Sequence, residues 1–171
     1  MRLGGVGERV RNRLPALLAS RDVSIGELAR RTFLSPRVLA RLRSPQANPA
    51  LRIAERIATA LDLPVEAVFC LASPRRVGRA APPCRAGLVP LLAARSGSDV
   101  WLARAAGLDR AHVNRIKNGR ALPSVGTALA IAAALDVDVA AAFPPRDQRR
   151  VRRAREPLRG ARAQSHCDRR A

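Results

Sequence analysis

Two sets of polar side chains stand at spacings that could do chemistry. Arg37 and Arg41 are four residues apart; Arg110, Asn114 and Arg115 fall within six. On a helix, such spacings put the groups on one face. The opposite face would carry Leu39 and Leu42 in the first set, and Val113 and Ile116 in the second. A guanidinium is a planar fork of donors, so the arginines on these faces suit bidentate hydrogen bonding to flat, acceptor-rich edges. Chemistry that makes or breaks bonds has no such support. There is no paired-carboxylate set, no Ser/His/Asp arrangement, no glycine-rich phosphate loop and no metal cluster. His112 sits inside the second polar stretch and reads as groove-facing or half-buried rather than catalytic. Cys70, Cys84 and Cys167 are an odd number without paired spacing, and His166-Cys167 is an isolated neighbour pair. Neither a disulfide framework nor a zinc site is expected. The chain is expected to be no enzyme and to need no cofactor.

The elements that position these faces occur twice. Shifting residues 14–69 by 74 positions lays them on residues 88–143 without a gap, and 22 of the 56 pairs are identical. Leu28-Ala29-Arg30 meets Leu102-Ala103-Arg104, Arg41 meets Arg115, and Ala60-Leu61-Asp62 meets Ala134-Leu135-Asp136. A unit of this length is a small domain rather than a solenoid repeat.

Composition narrows the partner. Lys+Arg total 32 against 13 Asp+Glu, for a net charge of +19, which points to a polyanion. Aromatics are 2% of residues, which disfavours a single-strand binder built on stacking platforms. Each repeat carries only +3 or +2, so most of the excess lies in residues 1–13, 70–87 and 144–171. Those stretches are rich in Pro, Gly and Arg, and are expected to be flexible arms that track phosphates. No segment has the roughly 20 apolar residues of a membrane span, and no apolar signal core follows Met1. A cytoplasmic, nucleoid-associated protein is expected.

Periodicity predicts five helices per unit. In the first, helix one holds Val10, Leu14, Leu17 and Leu18. Ser24-Ile25-Gly26-Glu27 forms a capping box for a helix over 25–31. Ser35-Pro36 restarts a helix over 36–43, and helices over 50–61 and around Val65–Phe69 complete the unit. In the second, helices are predicted over 86–95, 99–105, 110–117, 124–135 and 139–143, with Gly107 in the turn and Asn118-Gly119 closing the third. Two short helices joined by a tight turn, the second studded with arginines, have the form of a helix-turn-helix.

Both units resemble the Cro/C1 (lambda-repressor-like, XRE) DNA-binding domain. The resemblance rests on the serine cap, Leu-Ala in helix two, the turn, the arginine-bearing helix three and the Ile-Ala-x-Ala-Leu-Asp helix. It is fullest in Trp101-Leu102-Ala103-Arg104, Gly107-Leu108, Val113 to Arg120, Pro123-Ser124 and Ile131 to Asp136. It implies an all-α fold of two tandem five-helix domains, 8–71 and 86–143, with a basic flexible linker, 72–85, and a disordered basic tail, 144–171. It further implies helix three in the major groove of double-stranded DNA. By position, the base contacts would be Arg110, Ala111, Asn114 and Arg115 in the second unit, and Pro36, Arg37, Ala40 and Arg41 in the first. Phosphates would meet Ser98, Asp99, Lys117, Asn118 and Arg120, and correspondingly Ser24, Ile25, Arg43 and Ser44.

The units depart from the pattern in places. Phe33 replaces the turn glycine and Ser44-Pro45 the Asn-Gly, so the first unit is expected to dock differently or weakly, or to serve as a dimerisation face. Asp99 stands where a phosphate would be repelled, and Trp101 is expected to be exposed. The leading expectation is a bacterial or phage transcriptional regulator, more often a repressor in this family, that reads an asymmetric two-part site. The alternatives are a nonspecific nucleoid-associated or architectural protein, an antitoxin, or a phage immunity repressor. Double-stranded DNA is the expected partner; a homodimer is allowed, and no membrane or small-molecule ligand is expected.

Overall fold

The structure, a computed structural model, describes residues 10–72, 87–95 and 97–144. The expected linker and tail lie outside these residues except for Ala72 and Pro144 at their edges, and so do Cys84, His166 and Cys167. Among the described residues there are ten helices and one small sheet, in the order β1 (Val10–Asn12), α1 (Leu14–Ser20), α2 (Ile25–Thr32), α3 (Pro36–Arg41), α4 (Leu51–Ala60), α5 (Val65–Val68), β2 (Phe69–Leu71), α6 (Leu88–Ala94), α7 (Asp99–Ala106), α8 (Arg110–Lys117), α9 (Val125–Leu135) and α10 (Val139–Ala142).

Local chemistry sets these boundaries. Ser24, Ser35, Ser98, Asp109 and Ser124 each accept a hydrogen bond from the backbone N–H three residues on, which satisfies one of the orphan donors of a helix start. The capping box at Ser24 is only half formed: Glu27 gives its carboxylate to Arg30 and Arg31 instead of reaching back. Asp62 and Asp136, equivalent under the 74-residue shift, are both left-handed (φ 52° and 55°). So are Phe33 (φ 53°) and Gly107 (φ 67°) in the two interhelical turns. Only glycine takes that conformation without steric cost.

The predicted first helix needs correction. Val10 belongs to β1, and α1 begins at Leu14 with Pro15 in its first turn. β1 pairs antiparallel with β2, Val10 opposite Leu71 and Asn12 opposite Phe69, so the fold is mainly helical but not purely so. Asn12 makes the strand useful. It is buried, its Nδ2 donates to the carbonyls of Leu42 and Ser44, and its Oδ1 accepts from Leu14 N. Its backbone N–H donates to Pro45 O. One residue thus ties the loop after α3 to the start of α1.

The two runs of helices meet through bonds that repeat the 74-residue shift. Leu51 N donates to Pro123 O (3.0 Å) and Val125 N donates to Pro49 O (2.8 Å). Between them Ala50 and Ser124 form an antiparallel bridge. Each bond is the other's image under the shift, as across an isologous contact. Around this seam the symmetry breaks. Asn48 Oδ1 accepts from Gly126 N (2.9 Å), and Glu66 Oε1 accepts from Val139 N (2.6 Å); their repeat mates are Leu122 and Ala140.

α9 links the two cores. Val125, Ala128, Leu129 and Ala132 pack with Leu14, Leu28, Leu39, Ile57 and Phe69. Ala130, Ile131 and Leu135 pack with Leu88, Leu102, Val113 and Ala142. The first four recur at i, i+3, i+4 and i+7, so α9 buries two stripes at once. β2 also packs against α9.

Candidate nucleic-acid interface

In the second run, α7 and α8 pack through Leu102, Ala103, Ala106, Val113 and Ile116, all buried. The small side chains of Ala103 and Ala106 allow the close approach. Gly107 turns the chain in the left-handed conformation with nothing near a notional Cβ. With that inner face fixed, Arg110, Ala111, Asn114 and Arg115 all lie exposed, while His112 is half-buried. Asn118 and Arg120 are exposed beyond the helix end, and Gly119 is left-handed (φ 68°).

Lys117 and Asp99 are placed otherwise than the sequence suggested. Lys117 Nζ lies 2.8 Å from both Asp99 carboxylate oxygens. Asn114 Nδ2 donates to Asp99 Oδ2 (3.0 Å), and Asn118 Nδ2 donates to Asn114 Oδ1 (3.0 Å). The hydrogen bonds from Lys117 and then Asn114 hold the Asp99 carboxyl below its ordinary pKa. The expected repulsive charge is therefore paired within the protein. That link runs between residues 15 and 18 apart, across a turn, and periodicity gives no signal for it. Ser98 Oγ is engaged in capping Trp101 N (3.1 Å). Trp101 is 40% exposed, with its ring against Gly97.

In the first run, α2 and α3 pack through Leu28 and Leu39. Pro36, Arg37, Ala40 and Arg41 are exposed along α3, and Arg43 and Ser44 in the loop beyond. Leu42, expected in the core, is only half-buried. Phe33, at the turn position matched by Gly107, is 87% exposed. Here the sites of Asp99, Asn114 and Lys117 are taken by Ile25, Ala40 and Arg43, so no equivalent polar link exists. Instead Arg56 reaches from α4 to the carbonyl of Thr32 at the end of α2, and Glu27, held below its ordinary pKa by Arg31 and Arg30, decorates the outer face.

The family comparison falls on the α7–α10 segment. The Helix-turn-helix family model matches residues 102–141, which run from inside α7 through α8 and α9 into α10. That segment is similar to a Cro/C1-type helix-turn-helix. That family is a DNA-binding regulatory one; within the matched segment, α8 follows α7 and carries the exposed Arg110, Asn114 and Arg115. No curated protein and no solved structure matches the chain. No helix among the described residues is long and apolar enough to cross a membrane.

Proposed function

We propose that this protein is a sequence-specific double-stranded DNA-binding transcriptional regulator, acting as a repressor, that reads an asymmetric two-part site with α3 and α8. The observation that carries the reading is the reciprocal pair of bonds across the seam, Leu51 N to Pro123 O and Val125 N to Pro49 O. Domains of this class commonly pair to read half-sites about one helical turn, roughly 34 Å, apart. Here the pairing contact is supplied within one chain, so one protein presents both recognition helices. The helices differ, with Arg37 and Arg41 on one, and Arg110, Asn114 and Arg115 on the other. The two halves of the site therefore differ too.

On this reading the exposed residues of α3 and α8 contact bases, and Ser24, Arg43, Ser44, Ser98, Asn118 and Arg120 meet phosphates. Phosphate contacts set the register and base contacts set the sequence. The basic stretches outside the two units add salt-dependent affinity for any duplex. The test is selection of random duplex DNA by the full chain at about 0.15 M salt. A two-part, non-palindromic motif is the expected result. Binding without any enriched motif, lost as salt rises, would replace the regulator by an architectural protein.

A further inference from the structure

The Asp99 link does more than cancel a charge. Asp99 is the first residue of α7, and with Lys117 it forms a pair whose side chains are only 18% and 25% exposed. The same carboxylate takes one N–H of Asn114, while Asn118 donates to the Asn114 oxygen. Together these bonds decide which end of the Asn114 carboxamide faces which way. One N–H and one oxygen lone pair of Asn114 remain free on an exposed side chain between Arg110 and Arg115. That is the combination adenine matches in the major groove, where N7 accepts and the N6 amino group donates. A carboxamide free to flip would offer the matched and mismatched arrangements alternately.

We propose that Asp99 is the positioning residue that sets specificity in the α7–α8 unit: it fixes Asn114 to read an A·T pair, and by holding Lys117 it keeps this unit's attraction for phosphate low. The proposal rests on the DNA-reading function above. The consequence is a division of labour. The first unit, with Arg43 at the position of Lys117 and Ile25 at that of Asp99, binds phosphate without an internal competitor. The second discriminates.

The two roles of Asp99 separate chemically. Asp99→Asn keeps an oxygen that can accept from Asn114 but removes the charge. It should retain the preference for A·T at one position, bind unrelated duplex more tightly, and steepen the salt dependence by about one phosphate contact, a slope change of roughly 0.9. Asp99→Ala should also bind unrelated duplex more tightly but lose the A·T preference at that position by about fivefold or more, the lower end of what a bidentate base contact discriminates. A purely structural role would instead weaken both variants on every sequence alike. An Asp99→Ala protein that keeps the wild-type preference overturns the proposal, as does weaker nonspecific binding by both variants.

A second readout needs no DNA. In the free protein, the Asn114 side-chain amide resonances should shift in Asp99→Ala and stay near wild type in Asp99→Asn. Resonances unchanged in Asp99→Ala overturn the positioning role whatever the selection gives. If the resonances shift but selection yields no motif, it is the DNA-reading function that fails, and the specificity role with it.

Discussion

At the scale of single residues, Asn12 anchors the loop after α3, and Asp99 ties the start of α7 to Asn114 and Lys117 on α8. Arg110, Asn114 and Arg115 were legible because helical spacing sorts a short segment into an inner and an outer face, and α8 obeys it. Phe33 was legible because the 74-residue shift sets it against Gly107, and both are left-handed. Asn12 was not. Its three side-chain bonds reach residues 2, 30 and 32 positions away, and long-range polar pairing leaves no periodic trace. Asn12→Ala would strand the buried Leu14 N–H and deprive two partly buried carbonyls of their donor. We expect it to lower stability by about 1–3 kcal/mol, read as a fall in the urea midpoint at constant slope. It should also weaken DNA binding through the first unit, because the loop that follows α3 loses its anchor.

At the scale of elements, α9 is the lesson. Residues 125–135 contain no charged side chain, whereas the matching stretch in α4 carries Arg52, Glu55 and Arg56. A helix apolar on every side is a buried one, and that difference was visible in the sequence. What periodicity could not supply was the identity of the second face's partner, which is the core of the other unit together with β2. The strand itself was missed because three residues, Val10–Asn12, are too few to display alternation, and Val10 fits the helical spacing of Leu14 and Leu17.

Two predictions belong to these helices. A Cβ on Gly126 would lie 2.8 Å from Val10 Cγ2 and 3.2 Å from Asn48 Nδ2. Gly126→Val should therefore lower stability by about 1–3 kcal/mol through overpacking, measured by the same denaturation. Glu55 lies half-buried on α4, and burial raises its carboxyl pKa, an effect that the charge of Arg52 partly opposes. An acid whose folded pKa is raised favours the fold when protonated, and that contribution is lost as pH rises through the folded pKa. Glu55→Gln should thus be more stable than wild type at pH 7. The difference should vanish below the ordinary glutamate value of about 4.3.

At the scale of the whole molecule, the proposed two-part reading requires one chain to present both recognition helices. The repeat predicted two like units, and reciprocal backbone bonds at Pro49 and Pro123 join the two runs of helices. The sequence showed the duplication but not the seam, because the bonds are backbone to backbone and carry no residue signature. A fragment of residues 86–143 would expose Val125, Ala128, Leu129 and Ala132, which pack in the first core. It should self-associate or precipitate, while the full chain stays monomeric with a melting temperature independent of concentration; sedimentation of both species checks this.

On the proposed reading, two different helices read two different halves of one site. The most direct test pairs Arg41→Ala and Arg115→Ala with selected duplexes in which one half or the other is scrambled. Each substitution should cost about 1–3 kcal/mol on the intact site. Scrambling the half that a substituted helix reads should then cost that variant little more, while scrambling the other half costs it as much as wild type. If Arg41→Ala and Arg115→Ala respond alike to both scrambled halves, or if either leaves the intact site bound as tightly as before, the two-helix account is contradicted.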